Sequence, residues 1–472
     1  MLHQESVSSE LLFVAGASQR AELFAPATTS PSCGCRSKQF GSALCDAPAT
    51  ASLFETCISF SPDRPQHIVL ITSFRGQGAK EHWARGQKCI GSGGKRATKI
   101  HFSKDFKYLE IYFLTNLLKK MPSSYIKGIG YYVPETIVTN ADLQRHMDTT
   151  DEWIQERTGI QERRYAAKHK ETTSVLGTNA AKKALTNAGM DANELDLIIF
   201  ATLSPDYYFP GCGVLLQRQL GITKTEIPAL DIRNQCSGFV YGLSVADAFI
   251  RSGMYKNILL VGAETHSMGL DFSTRGRNVT VIFGDGAGAV IMSATDEQFR
   301  GILASRIHAN GEFAEELAMI NPGSHGGVHV PDPSVYGYEE AEYGETFISP
   351  KMLTDGMLFP NMNGQLVFKN AVVKFPEVIA EVLEAAGLEK TDIDLLVCHQ
   401  ANLRISQFVQ KTMGLRDDQV WNNIQRYGNT TAASIPIALA EAVEAGKVKK
   451  GDLICLAAFG SGFTWGAALI RW

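Results

Sequence analysis

The residues in this chain best suited to covalent chemistry are a cysteine, a histidine and an asparagine: Cys236, His399 and Asn429. Cys236 sits in Asn234-Gln235-Cys236-Ser237-Gly238, whose small residues let a substrate approach the sulfur, and a helical pattern follows. A thiol at a helix start gains from the macrodipole and nearby N–H groups, which favour the nucleophilic thiolate. His399 ends the short apolar run Leu395–Cys398, at the carboxyl end of a strand where α/β proteins build their sites. Asn429 lies in Tyr427-Gly428-Asn429-Thr430-Thr431, again just before a helical pattern. Taken singly, Cys236 reads as a buried structural thiol, since free cysteine is among the most buried residue types. His399 alone invites the same caution. The three together point to a nucleophile with two polar assistants.

The elements that must position them are legible from about residue 124. Tyr125–Tyr132 alternates like a strand and Pro134 ends it. Helical patterns over Ser174–Ala188, Phe375–Ala386 and Ile435–Ala445 alternate with wholly apolar strands at Leu195–Ala201, Ile258–Gly262 and Leu395–Cys398. Strands apolar on both faces and separated by helices indicate an α/β protein with covered sheets. The pattern also repeats. Ala184–Ile199 aligns without a gap on Val382–Val397, Cys236–Gly253 on Asn429–Gly446, and Asn257–Val261 on Asp452–Leu456. Three matches in one order imply two copies of one α/β unit with their sheets paired in layers. Cys236 and Asn429 fall at equivalent positions of the two copies.

Composition narrows the class. The 472 residues carry 45 Lys+Arg and 49 Asp+Glu, a net charge of -4, with 44% hydrophobic and 20% charged residues, the profile of a globular chain. That balance excludes a broad nucleic-acid-binding surface, and no apolar run is long enough to suggest a membrane span. Residues 1–120 differ: 15 Lys+Arg and 9 Asp+Glu give them a net of +6, against -10 for the rest. They hold Cys33, Cys35, Cys45, Cys57 and Cys89, while Cys212, Cys236, Cys398 and Cys455 are scattered, with no metal spacing anywhere. Their odd total and scattered placement suit a reducing compartment. Residues 1–123 therefore read as a low-complexity, poorly ordered extension, with apolar patches at Ile68–Ile71 and Leu109–Leu118 that lack evident partners. A transit peptide or a natural start at Met121 are alternatives. The core divides into 124–300 and 301–472.

Residues 124–472 resemble β-ketoacyl-[acyl-carrier-protein] synthase III, a condensing enzyme family of the thiolase fold. The resemblance rests on Asp151-Glu152-Trp153-Ile154 with Arg157-Thr158-Gly159-Ile160, on the Cys236 segment, and on Phe283-Gly284-Asp285-Gly286-Ala287-Gly288. It rests further on His399-Gln400-Ala401-Asn402-Leu403-Arg404-Ile405, Tyr427-Gly428-Asn429-Thr430 and Ala458–Gly466. It implies a duplicated thiolase-like α/β core with αβαβα layering, and a decarboxylating condensation of acyl-CoA with malonyl-[acyl-carrier-protein] that starts fatty-acid chains.

On that resemblance Cys236 takes the acyl group, and His399 and Asn429 donate hydrogen bonds to the malonyl thioester oxygen. The backbone N–H groups of Cys236 and Ser461 form an oxyanion hole; the family often has Gly where Ser461 stands, and a backbone donor survives that change. Trp153, Arg157 and Arg277 would meet CoA, Arg404, Lys369 and Lys411 an acidic carrier protein, and Phe209 the acyl pocket. No cofactor or metal is implied, since acyl-CoA and malonyl-carrier protein are substrates. The family implies a homodimer, with Lys256–Ala263 as an apolar edge strand pairing with its own copy. The location implied is cytoplasmic; a plastid would require residues 1–120 to be a transit peptide.

Other readings compete. A polyketide, quinolone or head-to-head synthase would share the fold, the hydroxymethylglutaryl-CoA synthase branch fits His-Gln-Ala-Asn less well, and an inactive scaffold is disfavoured by the three filled catalytic positions. Gly284–Gly288 suggests a nucleotide loop but lacks its full spacing and following helix, so its glycines read as close-packing residues. His308, His325 and His329 read as solvated loop histidines. Asn321–Asn363 reads as a long loop, larger than the family's, that bears on the shape of the acyl pocket.

Overall fold

Two runs near the start of the chain, Phe54–Phe60 (β1) and Ile68–Phe74 (β2), pair antiparallel with Phe54 opposite Phe74. Sequence reasoning found no partner for Ile68–Ile71; it passed over the period-two alternation of Phe54, Thr56, Ile58 and Phe60 with Glu55, Cys57 and Ser59. The computed structural model describes residues 54–60, 68–74 and 122–472, apart from 223–224, 298, 329, 331 and 341–343. Leu109–Leu118, Met121, His329 and Cys33, Cys35, Cys45 and Cys89 lie outside the described residues. The chain divides into two units, 1–101 and 102–472, and everything below concerns the second.

Its first half contains β3 (Ser123–Tyr132), the small pair β4 (Thr136–Thr139) and β5 (Glu162–Tyr165), β6 (Leu197–Ala201), β7 (Ala229–Ile232), β8 (Asn257–Glu264) and β9 (Gly286–Thr295). The main sheet runs β3-β9-β8-β6-β7. The second half contains β10 (Gly301–Ala309), the pair β11 (Leu317–Ala318) and β12 (Asn361–Met362), β13 (Leu395–Cys398), β14 (Leu453–Gly460) and β15 (Thr464–Arg471). Its sheet runs β10-β15-β14-β13, the order of the first sheet strand for strand. The counterpart of β7 has shrunk to one parallel bridge between Leu396 and Val420.

The helices that matter for the site are α1 (Asp151–Thr158), α2 (Thr173–Ala188), α3 (Gly238–Arg251), α4 (Gly364–Ala386), α5 (Leu403–Met413) and α6 (Ser434–Glu444). α3 and α6 are apolar around most of their circumference because they lie between the two sheets. Phe239, Val240, Leu243, Ile435 and Leu439 join Leu197, Ile199, Ile454 and Leu456 in that central core. Ile198 and Phe200, one residue out of phase, face the opposite way and pack on α2; α4 and α5 cover the second sheet's outer face. The layering is therefore helix, sheet, helix, sheet, helix. Truncating a central leucine such as Leu243 to alanine would cost about 2–5 kcal/mol.

Two expectations change. The helix expected over Phe375–Ala386 begins eleven residues earlier at Gly364 and runs through Pro376; a proline inside a helix is tolerated where packing holds the helix together. Lys256–Ala263 was expected at a sheet edge, yet β8 is the middle strand, bonded to β6 and to β9. It is apolar because both its faces and both its sides are covered. The strands that end the sheet are β3 and β7, and on β7 Leu230 is 39% exposed.

Candidate active site

Cys236 lies on a 3-10 turn, Gln235–Ser237, that leads into α3. Asn429 precedes the matching turn, Thr431–Ala433, that leads into α6. The repeat is kept at the far ends of both helices, where Gly253 and Gly446 are left-handed, with φ of 75° and 67°. The two turns pack together: a β-carbon on Gly238 would lie 3.4 Å from that of Ala432. Both buried helices thus begin at one point, beside the carboxyl ends of β13 and β14, where His399 N–H donates to Ala457 O at 2.8 Å.

The sulfur of Cys236 is held against backbone. The N–H groups of Ser461 and of Cys236 itself face it closely enough to favour its charged form, and Gly460 leaves no room there for a side chain of its own. These are the two donors expected of an oxyanion hole. The helix-start environment was expected to favour thiolate. Instead burial pushes the Cys236 thiol up to about 12, with the charge of Glu264 adding to the rise and the two N–H groups opposing it. A macrodipole supplies about 2 kcal/mol at most, less than the several kcal/mol needed to bury an unpaired charge. The resting residue is a thiol.

His399 is buried, and burial holds it down at about 3, so the ring is neutral at physiological pH. Its Nδ1 lies 2.6 Å from Ser434 Oγ, which is also 2.9 Å from Thr431 O. When the single hydroxyl proton goes to Nδ1, Nε2 carries the ring proton and becomes a donor; when it goes to Thr431 O, Nε2 is an acceptor. Nε2 is buried and has no hydrogen-bond partner among the described residues. Asn429 is oriented more strictly. Thr431 N–H donates to its Oδ1 at 2.8 Å, leaving the amide NH2 as the group free to donate.

The motifs around these residues are scaffolding. Asn429 is bracketed by Ile282 and Gly284, its N–H donating to Ile282 O at 2.8 Å and its O accepting from Gly284 N–H at 3.0 Å. Gly284 must be glycine because a β-carbon would collide with Tyr427 O. Ala287–Thr295 continues as strand β9, so the glycine-rich segment packs and turns as expected. Asp285 is buried and takes N–H bonds from Ala166 and Ser267. In the His399 segment, Gln400 binds Cys398 O at 2.8 Å and accepts from Asn423 N–H at 3.0 Å. Asn402 caps α5 and donates to Arg157 O at 2.8 Å, tying the histidine loop to α1.

The outer residues divide. Trp153, Arg157 and Arg277 come together, with the guanidinium carbons 4.5 and 5.2 Å from the indole centroid. Arg404 and Lys411 stand two turns apart on α5, and Lys369 lies on α4 next to Phe368, over which Arg404 sits at 5.6 Å. Phe209 is not drawn into the site of its own chain. It is 82% exposed, with its ring beside that of Tyr208, which meets Phe347 edge-on at 5.9 Å. Phe347 belongs to the long loop 321–363, which has buried Tyr338 and Met352 of its own and is clasped by Arg275, bonded to Asp355 O at 2.8 Å. At its neck Leu317 O accepts from Ser461 Oγ. His308 is no solvated loop histidine: it lies in β10, 2.6 Å from Glu381 and stacked on Trp465. His325 is half-buried, edge-on to Tyr338. A cavity of about 650 Å³ lined by Val214, Arg218, Ile222 and Glu226 shares no residue with this site.

Residues 230–311 match the family described as 3-Oxoacyl-[acyl-carrier-protein (ACP)] synthase III, and residues 383–472 its C-terminal part. The "Beta-ketoacyl-[acyl-carrier-protein] synthase III" of Coxiella burnetii (strain Dugway 5J108-111) is 41% identical over 73% of this chain and 98% of its own length. This chain belongs to the β-ketoacyl-[acyl-carrier-protein] synthase III family. It is an acyl-transferring condensing enzyme. The relative of that name from Geobacillus kaustophilus is 44% identical over 74% of this chain and 98% of its own. The crystal structure of 3-oxoacyl-[acyl-carrier-protein] synthase III from Aquifex aeolicus VF5 superposes with a TM-score of 0.63 at 42% identity, covering 74% of this chain and all of that one.

Sequence reasoning missed Glu264, His266, Thr431 and Ser434. Glu264 had a signal, an acid ending an otherwise apolar strand. It is buried, held by Ser204 Oγ at 2.6 Å and Leu203 N–H at 3.2 Å, and burial raises its carboxyl to about 7. The others look ordinary until folded.

Proposed function

We propose that the chain joins an acyl-CoA primer to malonyl-[acyl-carrier-protein] through an acyl-Cys236 intermediate. In the first half-reaction the thiol attacks the acyl thioester. A carbon–sulfur bond forms to Cys236, the bond to CoA breaks, and the thiol proton ends on the CoA sulfur. The N–H groups of Cys236 and Ser461 stabilise the oxyanion passed on the way. In the second, the malonyl carboxylate leaves as carbon dioxide, and its electron pair passes to the thioester oxygen as an enolate. The Asn429 amide and His399 Nε2–H donate to that oxygen, Ser434 then giving its proton to Nδ1. Neutral donors suit this step, because an acid would protonate the carbanion. The carbanion attacks the acyl-Cys carbonyl and expels the Cys236 thiolate, which takes up one proton. This chemistry uses no cofactor.

The observation that supports this reading above others is the joint start of the two buried helices, with a thiol facing two N–H groups on one and an oriented amide on the other. We assign CoA to the Trp153, Arg157 and Arg277 cluster, where guanidinium groups on an indole suit an adenine and its phosphates. We assign the acidic carrier protein to Arg404, Lys369 and Lys411. A homodimer, with the exposed Phe209 loop reaching its neighbour's acyl pocket, and a cytoplasmic location complete the reading; among the described residues no helix is long and apolar enough to cross a membrane.

The test is incubation with acetyl-, branched- and long-chain acyl-CoA followed by mass spectrometry and addition of malonyl-carrier protein. The expected result is one acyl adduct on Cys236, absent in Cys236→Ala, and a 3-oxoacyl product. No adduct with any primer would leave an inactive scaffold.

A further inference from the structure

Thr431 has a backbone that its side chain should resist. Its φ is +50°, left-handed, although it is β-branched. Such a residue costs about 1–3 kcal/mol and persists only where its surroundings hold it. Thr431 is fully buried, and its Oγ1 lies 2.6 Å from Nε2 of His266. His266 is a second buried histidine, on the turn His266–Met268 just after β8, and it has no part in the chemistry described above. Its ring is fixed against Phe283 at 4.6 Å, and Phe283 forms the isolated bridge with Asn429. The first half of the fold thus grips the turn on which the second half carries its donor.

Thr431 touches one of the donors directly through its backbone. Its N–H binds Asn429 Oδ1 at 2.8 Å and turns the amide NH2 outward. Turning the backbone at Thr431 toward ordinary φ would carry this N–H out of line and release the amide.

We propose that His266 anchors Thr431 in its left-handed conformation, and that Thr431 thereby acts as the positioning residue for Asn429. The proposal rests on the condensing function above and adds a residue pair to it. The alternative is a packing pair with no influence on the amide.

The experiment separates the half-reactions. His266→Phe keeps a ring on Phe283 but removes the anchor; Thr431→Val keeps the volume and removes the hydroxyl. Each should acylate Cys236 from acyl-CoA within about twofold of the parent, while kcat for malonyl decarboxylation falls about tenfold with KM little changed, the size of one released strained residue. Thr431→Ser should behave as the parent. Glycine accepts positive φ without an anchor, so adding Thr431→Gly to His266→Phe should recover most of the lost rate. The nitrogen-15 shift of the Asn429 side-chain amide in the free protein should move in Thr431→Val and return in Thr431→Ser. Parallel loss of both half-reactions, no loss in either, or no recovery with glycine overturns the proposal. A parent protein that never condenses, with the amide shift still following Thr431, would sink the condensing function and leave the anchor standing.

Discussion

Gly460 lies against Cys236 so closely that a β-carbon on the glycine would come within 2.7 Å of the sulfur. The last residue of β14 is therefore part of the thiol's own site, and the N–H that follows it, on Ser461, favours charge on the same sulfur. Gly460→Ala must push either the thiol or the strand end aside. Overpacking of this kind costs about 1–3 kcal/mol, and a displaced nucleophile about a hundredfold in rate. Melting temperature and the rate of acyl-Cys236 formation should both fall; unchanged acylation would mean that the sulfur works from another position.

His399→Ala and Asn429→Ala should each leave Cys236 acylation intact and reduce condensation about a hundredfold or more, the usual effect of losing one oxyanion donor. Quenched mass spectrometry reads the first step and carbon dioxide release the second. Equal loss of both steps in His399→Ala would instead make the ring the acceptor of the thiol proton, the alternative that the Ser434 hydroxyl permits.

Glu264 should give stability a pH dependence of known sign. Burial raises its carboxyl from 4.5 to about 7, so the folded protein keeps a proton that the unfolded chain has released. The stability this contributes is complete below about pH 4.5 and is lost as pH rises through about 7. His266 and His399, both lowered to about 3, slope the opposite way below pH 6.5. The difference in unfolding free energy between parent and Glu264→Gln cancels them. It should change between pH 4.5 and 7 and be flat above; a flat difference throughout would show that Glu264 is ionised at ordinary cost.

If the exposed Phe209 loop completes a neighbour's pocket, activity per chain should fall on dilution into the monomer range. Leu230→Lys, on the edge strand β7 of the first sheet, should move that fall to higher concentration. Light scattering at assay concentration checks both, and a fully active monomer would remove Phe209 from the acyl pocket.

The duplicated core was legible in the chain alone, because burial on both faces leaves uninterrupted apolar strands whose partners in the second copy carry the same pattern. The sequence also located Cys236, His399 and Asn429, since two of them stand at equivalent helix starts and the third at a strand end. Tertiary structure decided what those residues meet. Whether β8 was an edge or a centre could not be read, because an apolar strand looks the same whether a neighbour chain or a neighbouring strand covers it. The thiol's protonation could not be read either: the helix start is a local feature, while the burial that outweighs it comes from β14 and the added charge from Glu264, both distant in sequence. His266 carried no pattern at all, and Thr431, although it stands in the Asn429 motif, showed nothing of its role. Their pairing exists only because the end of β8 and the start of α6, far apart along the chain, converge between the same two sheets.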